Sequence, residues 1–173
     1  MKATENLARL NSLDAAKAEK ELLKCCGSTE WARALAAQKP FGEMQELLTA
    51  ADDTWRNLSK RDWLEAFAAH PKIGGRQAAR EPEDAQVATW SEQEQSGARG
   101  AEGATLDELA EVNRIYEEKF GYIFIVCATG KTAFEMLALL RARLPNDAKV
   151  ELSNAAEEQR RITHLRLEKL LTT

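Results

Sequence analysis

Two short stretches carry side chains able to move protons. In the first, Ala69-His70-Pro71-Lys72-Ile73-Gly74-Gly75, an imidazole stands directly before a proline and close to a glycine pair. The proline ring crowds the preceding residue and turns its backbone away from the helical region. His70 is therefore expected at a helix exit, its ring held off the helix face. Gly74 and Gly75 let the chain turn there, or let a ligand come close to the backbone. An imidazole titrates near neutrality, which suits general acid–base work. A helix C-terminus that favours histidine through its dipole accounts for the same residue without any chemistry. The second stretch is Ser91-Glu92-Gln93-Glu94-Gln95. Glu92 and Glu94, two apart on a helix, point different ways and make a poor acid–base pair with each other. Glu94 beside His70 is a better combination, because a carboxylate orients an imidazole and raises its pKa. Ser91 and Glu94 also stand at capping-box spacing, which would commit both side chains to the free amides of a helix start.

Other reactive side chains are sparse. Arg160, Arg161 and Arg166 lie on the last predicted helix; most such arginines are solvated. Arg166, between Leu165 and Leu167, borders the apolar stripe, and an inward guanidinium suits a carboxylate because its fork binds both oxygens. His164 falls on the polar flank and is given no role. The chain has three cysteines and two histidines. Adjacent Cys25 and Cys26 with distant Cys127 form neither a disulfide framework nor a metal-ligand spacing, so no metal is expected and a reducing cytoplasm is the simplest setting. Ala128-Thr129-Gly130-Lys131-Thr132 resembles the end of a phosphate-binding loop, but the pattern needs a glycine five positions before Gly130. Ile125 occupies that place, so the backbone cradle is missing.

The 173 residues suit one domain, residues 1–173, with a sizeable core, and 44% hydrophobic with 30% charged residues is an ordinary globular composition. A net charge of -4 argues against a nucleic-acid surface. No apolar run reaches the length of a membrane span, the N-terminus lacks the apolar core of a signal peptide, and Leu170-Leu171-Thr172-Thr173 is not a peroxisomal tripeptide.

The elements that must position these groups read mostly as helix. Asn11 or Ser12 is expected to cap a helix through Leu23, and Ser28 or Thr29 another through Leu35. A third runs from about Glu43 to Trp55. Ser59 with Asp62 marks a capping box for the helix that delivers His70. Arg76 to Thr89 reads as polar loop with room for a short turn of helix, followed by a helix beginning at Ser91. Ser96 to Gly103, rich in glycine, is expected to be a mobile connector or a lid. Thr105 opens a helix carrying Leu109, Asn113 and Tyr116, closed at Gly121. Tyr122 to Ala128 is a short apolar run, a buried extended segment or strand, whose unpaired backbone groups can face a ligand. Lys131 or Thr132 starts a helix with Phe134, Leu137, Leu140 and Leu144 on its apolar face. Asp147 caps a long amphipathic last helix through Val150, Leu152, Ala155, Ile162, Leu165 and Leu170. The fold class expected is all-α, an irregular single-domain helical bundle of about eight helices.

Taken in order, His70-Pro71-Lys72-Ile73-Gly74, Ser91-x-x-Glu94-Gln95, Asn113-x-x-Tyr116-x-x-Lys119-Phe120-Gly121-Tyr122-x-Phe124 and Ile162-x-x-Leu165-Arg166-Leu167 resemble the OHCU decarboxylase family, enzymes of uric acid degradation. The resemblance runs from about the third helix to the end and is nearest to bacterial members. It implies an all-α homodimer that decarboxylates the small molecule 2-oxo-4-hydroxy-4-carboxy-5-ureidoimidazoline to (S)-allantoin without metal or organic cofactor. By matching positions, His70 would be the catalytic acid/base, aided by Glu94. Pro71 would shape the pocket floor. Ser91, Glu92, Gln93, Glu94 and Gln95 would meet the ureido and ring groups. The segment Phe124, Ile125, Val126, Cys127, Ala128 would present its backbone to the ring, and Arg166 would hold an anionic or carbonyl group. The competing class is a non-catalytic helical interaction module, in which the polar residues around His70 are replaceable without consequence.

Overall fold

The computed structural model describes residues 2–73, 84–98, 100–101 and 103–173. Among these, nine α-helices and one short 3-10 turn follow one another, with no strand. The all-α expectation holds, with one helix more than anticipated. The addition is α1 (Lys2–Ser12), which lies ahead of the first helix expected from the sequence. The break before α2 (Ala15–Leu23) is made by Asp14, not Asn11 or Ser12: its carboxylate accepts from Lys17 N at 2.8 Å, satisfying an amide that the first turn leaves unpaired. Helix α3 (Thr29–Ala36) is capped by Ser28, as expected. After α4 (Met44–Arg56), the Ser59–Asp62 capping box forms: Ser59 N donates to Asp62 Oδ2 at 3.0 Å and Asp62 N to Ser59 Oγ at 3.4 Å. It opens α5 (Lys60–Ala68).

The chain divides into two compact units. One takes the described residues of 1–66 and 160–173. Leu10, Leu22, Trp31, Leu35 and Leu47 are fully buried there; each such side chain contributes roughly 1.5–3 kcal/mol relative to exposure. The indole N–H groups find carbonyls as buried aromatics require: Trp31 Nε1 donates to Ala51 O at 3.1 Å and Trp63 Nε1 to Trp55 O at 3.0 Å. The second half of α9 (Ala148–Thr172) is pinned to α4 through Asp52, which receives Arg160 Nη1 at 3.0 Å and pairs with His164 Nε2 at 2.7 Å. His164 thus has a structural partner.

The other unit takes the described residues of 67–159. Helix α6 (Ala85–Glu94) starts six residues ahead of the expected Ser91, because Asp84 caps it, accepting from Gln86 N at 2.8 Å. The expectations for Gly74, Gly75 and residues 76–83 lie outside the described residues, as do those for Arg99 and Glu102. Helix α7 (Gly103–Phe120) ends on Gly121 at φ +81°, the left-handed position expected of that glycine. Helix α8 (Ala133–Arg143) begins with the Thr132–Glu135 capping box. Its buried face is Ala133, Met136, Leu137 and Leu140. Phe134, assigned to that face from spacing, is 73% exposed. The capped first turn sets the helix phase by Met136 and Leu137, which leaves Phe134 outside.

Residues 122–128 belong to no helix or strand, and from Phe124 onward their side chains alternate as in an extended chain. Phe124, Val126 and Ala128 enter a core with Leu109, Tyr116, Met136, Leu137 and Leu140. The period-two alternation of extended backbone sends Ile125 and Cys127, also buried, to the other side.

Candidate active site

His70 lies two residues beyond the last turn of α5, half-buried, its amide donating to Phe67 O at 3.2 Å. Its Nε2 stands 2.7 Å from Gln159 Oε1. Gln159 is fully buried on α9. The corner after His70 is held from three sides. Gln95 Nε2 donates to Pro71 O at 3.4 Å. Lys72 Nζ reaches Glu117 Oε2 on α7 at 2.6 Å. Asn113 Nδ2, from the buried face of α7, donates to Ile73 O at 3.0 Å. A proline cannot continue the helix and a bent backbone leaves carbonyls unpaired; side chains from α7 and the end of α6 take them up.

Ser91 and Glu94 do not cap a helix start. They sit in the last turns of α6 at i,i+3, both buried, on one face with Trp90 alongside. Glu92 and Gln93 are exposed. About 100° of rotation per residue turns them from that face, so the structure does not bring them to Ser91 and Glu94.

The extended segment is braced by side chains. Cys127 N donates to Glu158 Oε2 at 2.6 Å, Lys131 Nζ to Cys127 O at 2.8 Å and Arg143 Nη1 to Ile125 O at 2.8 Å. These groups, expected from sequence to face a ligand, have protein partners. Burial pushes the Cys127 thiol pKa up; Lys131 opposes this, while the Glu158 and Glu94 carboxylates add to it. The Cys127 thiol thus feels both carboxylates, and Glu158 is the chain neighbour of Gln159, which meets His70.

Behind the segment, Glu151 is wholly buried. It accepts from Tyr116 Oη at 2.5 Å, Arg143 Nη2 at 2.5 Å and Asn146 Nδ2 at 2.9 Å. Burial pushes its carboxyl up, but the hydrogen bonds from Arg143, Tyr116 and Asn146 prevail and hold it below the usual carboxylate value. Arg143 also lies 4.6 Å over the Phe124 ring. Within its own unit, Arg166 is buried and donates through Nη1 to Lys24 O at 3.4 Å.

Sequence reasoning missed Gln159 and Glu158. The signal was present for Gln159: the apolar stripe of α9 passes from Ala155 to Ile162, and position 159 is the helical step between them. A polar residue on a buried stripe requires a partner. Among the described residues no cluster of His, Cys, Asp and Glu is grouped to hold a metal ion, and no helix is long and apolar enough to cross a membrane.

An imidazole set on a buried amide, in the same compact unit as a buried carboxylate and a braced extended segment, suits acid–base work on a small polar molecule. The model of the OHCU decarboxylase family matches residues 11–168, and the chain belongs to that family. It is 42% identical over 154 residues to the uric acid degradation bifunctional protein TTL of Arabidopsis thaliana, covering 89% of this chain and 47% of that protein. It is 28% identical to the 2-oxo-4-hydroxy-4-carboxy-5-ureidoimidazoline decarboxylase of Xenopus laevis, over 78% of this chain and 75% of that one. The chain spans a third to a half of the bifunctional relatives it matches, 32% in Bacillus subtilis PucL and 47% in the Arabidopsis protein. Among solved structures, an OHCU decarboxylase crystallised in the presence of (S)-allantoin superposes with a TM-score of 0.76 at 42% identity, covering 88% of this chain and 98% of that one.

Proposed function

We propose that this chain decarboxylates 2-oxo-4-hydroxy-4-carboxy-5-ureidoimidazoline to (S)-allantoin in urate degradation, with no metal or organic cofactor. The observation that carries the reading is His70, fixed by buried Gln159 at 2.7 Å in the same unit as buried Glu94. Family membership and the likeness to an OHCU decarboxylase crystallised with (S)-allantoin support it.

The substrate carries its own electron sink. When the bond to the carboxylate breaks, carbon dioxide leaves and the electron pair passes into the adjacent ring C=N, whose nitrogen takes a proton from water. An external sink is therefore unnecessary. The remaining work is orientation and proton delivery. His70 takes the hydroxyl proton of the substrate and returns a proton to the product carbon from one face, which sets handedness; the imidazole ends as it began. In this reading Glu94 and Ser91, on one face of α6, and Gln95, already against Pro71, hold the ureido and ring groups. Phe124 to Ala128 line the ring edge through the backbone groups that Glu158, Lys131 and Arg143 leave unengaged. The match to residues 11–168 supports treating 1–173 as one functional domain. A homodimer in the cytoplasm completes the proposal, and three free cysteines suit a reducing compartment.

The test uses substrate generated in place from urate by urate oxidase and the following hydrolase. The protein should speed the appearance of optically active allantoin, before and after EDTA treatment. Racemic product at the spontaneous rate would overturn the proposal, and activity lost to EDTA and restored by a divalent ion would overturn its metal-free part.

A further inference from the structure

We infer that Gln159 is a positioning residue that fixes the tautomer of His70. The inference rests on the reading of His70 as proton carrier. An amide oxygen has lone pairs and no proton, so it only accepts. A ring nitrogen 2.7 Å from Gln159 Oε1 must then be the donor. Nε2 keeps its proton whether the imidazole is neutral or charged, and the nitrogen that gains and loses a proton is Nδ1. In the proposed reaction the Nδ1 lone pair takes the hydroxyl proton of the substrate, and Nδ1–H returns a proton to the carbon; the Nε2–H bond is never broken.

The surroundings make this a built contact. Gln159 is 0% exposed and His70 lies 89 positions away in sequence, so the pair is created by folding. Leaving a buried amide oxygen unmet is costly, so the pairing holds the ring as much as the ring satisfies the amide. The next residue on α9, Glu158, accepts from the Cys127 amide at 2.6 Å. One turn of α9 thus sets both the imidazole and the extended segment expected to lie against the substrate ring. A neutral amide suits the task better than a carboxylate: it fixes the proton's address without strongly favouring the charged imidazole.

The experiment is a long-range 1H–15N correlation spectrum of the uniformly 15N-labelled protein, taken well above the ordinary histidine pKa of about 6.5. The chain has two histidines, and a His164→Gln variant assigns the signals. Native His70 should show the Nε2–H form. Gln159→Leu should shift it toward Nδ1–H or a mixture and lower kcat about tenfold to a hundredfold. Gln159→Glu, which keeps an acceptor, should retain the Nε2–H form. Native His70 in the Nδ1–H form, or a tautomer unchanged in Gln159→Leu, would overturn the inference. Should the Gln159 variants fail to fold, the native spectrum alone decides. A native Nε2–H signal in a protein that leaves the ureidoimidazoline untouched would sink the proposed function while sparing the role of Gln159.

Discussion

Arg143 Nη2 lies 2.5 Å from Glu151 Oε1, and the same guanidinium donates through Nη1 to Ile125 O at 2.8 Å. One buried carboxylate near the start of α9 therefore holds the middle of an extended segment that no strand supports. Removing one partner of a buried pair leaves the other charge unmet, which typically costs about 3–5 kcal/mol. Glu151→Ala should lose stability of that order in urea titrations at neutral pH, and a loss below ~1 kcal/mol would contradict the bracing role.

The same network fixes a pH dependence. The Glu151 carboxyl is held below its ordinary value of 4.5 in the folded protein. Its contribution is present above the unfolded value and fades as pH falls through the lower, folded value. The stability gap between the native protein and Glu151→Gln should be widest near neutrality and shrink below about pH 4.5. A gap that grows on acidification would contradict the assignment.

Cys25 and Cys26 are buried, and burial pushes both thiols up, Cys26 to about 11. The thiolate is the reactive form. A disulfide reagent at mildly alkaline pH should leave both unmodified in the folded protein and label them once the chain is unfolded. Prompt labelling of either in the folded protein would contradict their burial.

Gly97 backs onto the carbonyl of Lys131 so closely that a Cβ there would overlap the oxygen, whereas Gly103 has open space. Gly97→Ala should destabilise by about 1–3 kcal/mol as backbone shifts to make room. Gly103→Ala should be neutral or slightly stabilising. Equal melting temperatures for the two variants would show that the Gly97 contact has no weight.

Local chemistry was readable in the chain where it was self-contained. The Ser59–Asp62 box, the Ser28 and Asp147 caps and the Gly121 stop each involve groups a few residues apart. Phe134 shows the limit of periodicity, because neighbouring apolar residues on α8 admit more than one phase and packing chooses among them. Ser91 and Glu94 were singled out, but their spacing fits a capping box as well as a shared buried face; Asp84, seven residues earlier, decides between these by starting the helix first. The pairings of Gln159 with His70 and of Glu158 with the Cys127 amide are beyond local reading, since 89 and 31 positions separate the partners.

The most direct measurement compares native protein with a folded His70→Gln variant on freshly generated ureidoimidazoline, following optical rotation. With the proton carrier gone, kcat/KM should fall about 100- to 10,000-fold and the remaining product should approach a racemate. A variant that keeps its helical circular dichroism and still yields (S)-allantoin at the native rate would contradict the account.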